Sequence, residues 1–79
     1  MAWELIRVEA YAGSRGGEEP RVIVDGGERK VVTEVLDRWL GSSAHSTDSP
    51  QDYFRVRTDD GRVALIRYNR LFGAWAIQR

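Results

Sequence analysis

The amino-acid sequence predicts an all-β fold, a small antiparallel barrel or strongly bent sheet of five to six strands. Short runs of alternating apolar and polar residues recur along the chain, the period-2 pattern of half-buried strands. Glycine-bearing turns punctuate the runs, and the strongest is Asp59-Asp60-Gly61 between Tyr53–Thr58 and Arg62–Tyr68. A tight hairpin turn needs positive φ, which Gly supplies without a Cβ clash. The chain of 79 residues is expected to make one domain, residues 1–79. A chain this short hides only roughly 60–65% of the surface its unfolded form exposes, so closing the sheet is the efficient way to protect its edges.

The first run, Trp3–Tyr11, places Ile6, Val8 and Ala10 on one face. Trp3 and Leu5 fall on the opposite parity, crossing an edge or covering a barrel end. Ala12–Glu19 is a loop by composition, with three glycines in five positions. It reads either as a plain mobile loop or as an anion nest of backbone N–H groups with Arg15 at its tip. No GK[ST] and no helix follow, so it is not a P-loop. Pro20–Asp25 is a second strand, with Pro20 at the position where a missing N–H matters least. Gly26-Gly27 makes a second tight turn.

Glu28–Leu40 continues as a long third strand with apolar residues on both parities. A bend or bulge partway accounts for that pattern, and a short helical turn near 34–40 is the alternative. Gly41–Gln51 is polar, without an apolar anchor, and reads as a mobile loop carrying His45, the only histidine. After the central hairpin, Asn69–Gly73 forms a five-residue turn before a final strand, Ala74–Gln78. Trp75 and Ile77 should point inward, leaving the small Ala74 and Ala76 outside, where another surface can approach closely. The predicted core is Ile6, Val8, Val22, Val24, Val35, Trp39, Phe54, Val56, Leu65, Trp75 and Ile77. Together the elements have the signature of a barrel of SH3-like or OB-like size, with room for one small core and no drug-sized internal cavity. A ligand should therefore bind a surface groove or an interface.

The absence of cysteine removes disulfide frameworks, zinc knuckles and thiol catalysis together, and suits a reducing compartment. Glu4 and Arg7 interrupt the place where a signal peptide needs an apolar run, and no stretch approaches the roughly 18 apolar residues of a membrane span. The expectation is a cytoplasmic protein with no membrane contact. Formal net charge is zero, which argues against nucleic-acid binding by charge alone. The charge is uneven, however: residues 1–50 hold six basic against nine acidic side chains, and residues 51–79 six against three. Eleven of the twelve basic residues are arginine. That is either compositional bias or an Arg-lined face for phosphate or carboxylate, which guanidinium grips in bidentate fashion.

No active site emerges. A catalytic serine needs a positioned base, and His45 sits alone on a polar loop. Glu18-Glu19 and Asp59-Asp60 lie in turns without a convergent third ligand, so neither reads as a metal site. No catalytic residue, metal or cofactor is assigned. The pattern worth pursuing is arginine alternating with aromatics. If Phe54 and Val56 face the core, Tyr53, Arg55 and Arg57 form an outward stripe, to which Arg62 and Arg67 add charge. Such a stripe suits stacking of unpaired bases beside phosphates, an acidic protein partner, or plain cross-strand salt bridges to Glu34, Asp37 or Glu9.

Three stretches also carry a resemblance: residues 10–21, residues 31–39, and residues 53–68 closed by Trp75. Their pattern is an aromatic pair (Tyr53-Phe54), Arg55-Val56, an acidic-Gly turn (Asp59-Asp60-Gly61), an apolar strand (Ala64-Leu65-Ile66) and a Trp on the last strand. It resembles an uncharacterised family of small bacterial β domains, found alone and, in similar form, at the C-terminal end of the Y-family polymerase-like subunit of the mutasome. The resemblance implies a non-catalytic accessory domain in DNA-damage tolerance that contacts a partner protein or DNA. The chain lacks a polymerase body with its metal-binding carboxylates.

The resulting expectation is a non-enzymatic interaction module, accessory to translesion synthesis or DNA repair, with a polymerase-associated protein partner. The alternative is direct single-stranded nucleic-acid binding through the Arg/Tyr strand face. The candidate binding residues are Tyr53, Arg55, Arg57, Arg62, Arg67 and Arg15. Monomer and homodimer both fit, the latter through an exposed edge strand.

Overall fold

The computed structural model describes residues 2–12, 18–41 and 51–78, which form six strands. They are β1 (Trp3–Ala12), β2 (Glu18–Asp25), β3 (Glu28–Gly41), β4 (Gln51–Thr58), β5 (Val63–Asn69) and β6 (Ala74–Gln78). Every strand pairs antiparallel with its sequence neighbour, and β1 pairs with β6, so the sheet closes into a barrel. The connectivity is up-and-down rather than the Greek key of an OB barrel. Closure gives each of the six described strands two neighbours.

Two long strands turn the corners. β1 pairs with β6 over Trp3–Ile6 and with β2 over Arg7–Ala12. β3 pairs with β2 over Glu28–Val31 and with β4 over Val32–Gly41. The bend predicted in the third strand is therefore present, as two bulges that leave Thr33 and Leu36 as the extra residues. There is no helical turn near 34–40. The second strand begins at Glu18 rather than Pro20, and the loop expected over 41–51 shortens, because Gly41 pairs with Gln51. The remainder of that loop, His45 and the proposed anion nest with Arg15 lie outside the described residues.

Turn chemistry follows the sequence. Gly61 has φ of 81° at the β4–β5 hairpin and Gly73 has φ of 65° at the β5–β6 turn, values an L-residue reaches only at a cost. Asn69 Oδ1 accepts the N–H groups of Leu71 and Phe72, holding the predicted five-residue turn.

Ile23, Phe54, Val56, Ile66, Trp75 and Ile77 form the buried core, with Ile6, Val8, Val32, Val35, Ala64 and Tyr68 packed against it. Phe54 and Trp75 rings lie 5.6 Å apart, and Tyr68 and Trp75 4.9 Å. Burying each large apolar side chain stabilises the fold by about 1.5–3 kcal/mol.

Four predicted core positions are corrected. Val22 and Val24 pair with the outward Glu9 and Arg7, so Ile23, opposite Val8, is the residue of β2 that enters the core. Leu65 pairs with outward Arg55, and Ile66, opposite Phe54, takes its place. Both strands carry consecutive apolar residues, and only the partner's register decides which parity is inside. Trp39 is displaced by the bulge at Leu36, which reverses the parity after Val35: Arg38 comes opposite Phe54, and Trp39 turns outward, 40% exposed.

One end of the barrel is closed by charge. Asp52 is 4% exposed and its carboxylate accepts two hydrogen bonds from Arg70, at 2.9 and 3.0 Å. That carboxylate holds the Arg70 guanidinium above its ordinary pKa, chiefly through the hydrogen bonds. Arg38 lies over the Phe54 ring, 5.1 Å from its centre. At the other end, Ile23, Thr58 and Ile77 floor a part-open recess of about 410 Å³ with Lys30 and Arg62 among its lining.

Candidate functional site

The register carries one row of residues across five strands. Trp39, Tyr53, Arg67, Ala76 and Leu5 are successive cross-strand partners on β3, β4, β5, β6 and β1. Strand parity sends all five side chains to the outside. Trp3, two residues before Leu5, shares that face.

These side chains form a ladder. Trp39 and Tyr53 rings are stacked, 5.5 Å apart and 5° from parallel. Trp3 meets Tyr53 edge-on at 5.9 Å. The Arg67 guanidinium lies over the Trp3 ring, 4.2 Å from its centre, a cation–π contact. Trp3 belongs to β1 yet touches β4 and β5, and β6 lies between. On this face of β6 the small Ala76 stands between Leu5 and Arg67, its register partners on either side. Tyr53 is fixed from beneath as well: a Cβ at Gly41 would collide with its ring.

Beside the ladder lies a groove of about 270 Å³. Ala74 and Ala76 line it with Leu5, Phe72, Gln51 and Arg67. Leu5 is 77% and Phe72 74% exposed, so two large apolar walls stand in solvent. Single exposed apolar residues are ordinary, whereas contiguous ones bordered by polar groups mark contact sites.

The predicted stripe divides. Tyr53 and Arg67 join through Trp3 into the ladder. Arg55 donates to Asp37 at 3.1 Å and Arg57 to Glu34 at 3.0 Å, both across the β3–β4 pair. Arg29 of β3 and Glu9 of β1 also pair, reaching across the intervening β2, and Glu9's carboxyl is held below its usual range, chiefly by hydrogen bonding to Arg29. Of the three readings of the stripe, cross-strand salt bridging is therefore the geometry of Arg55 and Arg57. Arg62 sits at the far end of the hairpin, lining the barrel-end recess, away from Tyr53. Arg15 lies outside the described residues.

Sequence reasoning missed Trp3, Trp39, Leu5 and Phe72 as members of the site. The signal for Trp3 and Leu5 was their off-core parity. For Trp39 it lay hidden behind the bulge. Among the described residues, no group of three or more His, Cys, Asp or Glu side chains converges as a metal ion would require. No helix among them is long and apolar enough to cross a membrane. Compared with known families, curated proteins and solved structures, the chain matches none.

Proposed function

We propose that this barrel is a non-enzymatic interaction module that docks a protein partner through the outer face of β1, β4, β5 and β6. The observation that carries the reading is the Trp39–Tyr53–Trp3–Arg67 ladder, continuous with the groove between Leu5 and Phe72. Tyr, Trp and Arg are enriched among the side chains that dominate protein interfaces, and the two aromatics bring large contact area with little rotamer freedom to lose. Here they are already stacked, so less ordering remains to oppose binding. The setting drawn from the resemblance is a cytoplasmic accessory role in translesion synthesis or DNA repair, with a polymerase-associated partner.

Single-stranded nucleic acid is the competing ligand, favoured by the exposed Trp39 ring, on which a base could stack. It fits less well. The arginines nearest Tyr53 on its own strand are neutralised by Asp37 and Glu34, and Tyr53 already has Trp39 on its face and Trp3 at its side.

The test compares wild type, Trp39→Ala/Tyr53→Ala, and Gly41→Ala as baits in extract of the source cell, alongside anisotropy titrations with a labelled single strand at two salt concentrations. The expected result is one partner captured by wild type and lost with both variants, with no strand binding. Strand affinity that falls steeply with salt, and is lost in the double variant, would replace the reading by the nucleic-acid one.

A further inference from the structure

We infer that the groove beside the ladder takes a segment in which a bulky apolar side chain adjoins a carboxylate, the apolar group seated on Ala74 and Ala76 and the carboxylate on Arg67. The inference rests on the interaction reading above and names the chemistry of the partner.

Volume gives the first half. The groove of about 270 Å³ lies below the roughly 300–1,000 Å³ range of small-molecule pockets, which suits one large side chain rather than a cofactor. Its floor is methyl groups and its walls are Leu5 and Phe72, so an apolar anchor gains contact on three sides.

Charge gives the second half. Arg55, Arg57, Arg29 and Arg70 each have a carboxylate partner. Arg67 lines the groove, and no carboxylate among the described residues pairs with it; the Trp3 ring holds its guanidinium instead. A ring face fixes the cation without neutralising it, so Arg67 keeps its N–H donors for an anionic group. Gln51 adds polar character to the lining of the same groove. A cationic or purely apolar segment would leave Arg67 opposed or unused.

The experiment is an NMR titration of the 15N-labelled full chain with acetyl-Gly-Asp-Phe-Asp-Gly-amide, its Asn-for-Asp analogue and its Ala-for-Phe analogue. The expected result is saturable shifts on the amides of Leu5, Arg67, Ala74 and Ala76. Affinity should fall about tenfold with the Asn analogue, a loss of about 1.4 kcal/mol, and binding should vanish with the Ala analogue. Ala74→Leu, which fills the groove from a half-buried position, should keep the native spectrum and lose the peptide. Arg67→Gln should bind the Asp and Asn peptides equally.

Equal wild-type affinity for Asp and Asn peptides, shifts elsewhere on the barrel, or no saturation in the millimolar range would overturn the inference. So would groove shifts that appear on raising protein concentration alone, because the occupant would then be a second copy. Should the peptide fail while partner capture still depends on Trp39 and Tyr53, the interaction reading survives and only the ligand class falls.

Discussion

Thr58 is 3% exposed, and its hydroxyl is spent on the turn beside it. It donates to Asp60 Oδ1, which also accepts the backbone N–H of Arg62, while Gly61 N–H closes onto the Thr58 carbonyl at 2.9 Å. The Thr58 hydroxyl, followed by the Arg62 N–H, holds the Asp60 carboxyl below its ordinary value of 3.8. A carboxyl depressed in the folded state stabilises the fold above its unfolded pKa, and that contribution disappears as pH falls from 3.8 through the folded value. Thr58→Val removes the donor while keeping the shape. Urea midpoints should therefore separate wild type from Thr58→Val most at about pH 7 and less at about pH 2, well below the ordinary carboxyl value. A gap of the same size at both pH values would show that the turn carboxylate is not what couples Thr58 to stability.

At the scale of the strand, β3 shows why part of this molecule could be read in advance and part could not. β4 alternates polar with apolar residues and β6 alternates small with large ones, so Phe54, Val56, Trp75 and Ile77 are legible as core directly from the residues. β2 and β5 present Val22-Ile23-Val24 and Ala64-Leu65-Ile66, where every parity is apolar and the pairing partner decides. In β3 the apolar residues on both parities announce a bulge without locating it. The position of the bulge reverses Trp39, and with it the upper rung of the ladder. The predicted stripe contained two of the ladder's members, Tyr53 and Arg67. The other two depend on a bulge and on a tryptophan that reaches across a strand, neither of which a local pattern encodes. The bulge makes a measurable claim. Trp75→Ala should cost about 3–5 kcal/mol, because Trp75 is 7% exposed. Trp39→Ala should cost less, because the ring is 40% exposed and leaves no core cavity when removed. Similar losses in urea denaturation would place Trp39 in the core and the bulge elsewhere.

At the scale of the whole molecule, five of the six strand pairings join segments that follow one another in the chain, and the sixth joins Trp3–Ile6 to Trp75–Gln78. That last pairing completes the site as well as the barrel, since it carries Trp3 and Leu5 to β5 and β6. Its consequence is temporal. Hairpins between neighbours lose little chain entropy when they form, whereas joining the two most distant strands must follow the ordering of nearly everything between them. On these grounds the β4–β5 hairpin is expected in the folding nucleus, with the β1–β6 seam zipping afterwards. The same deletion of one methylene at two core positions separates these stages. Ile66→Val and Ile77→Val should each cost about 0.5–1.5 kcal/mol. The first should appear chiefly as slower folding and the second chiefly as faster unfolding in stopped-flow chevrons. The reverse assignment would mean that the seam forms first. If the seam closes late, the proposed docking face is completed only in the final step of folding. Opening the seam would then separate Trp3 and Leu5 from Arg67 and Ala76, and the release of a partner docked there as proposed would follow the breathing of four residue pairs.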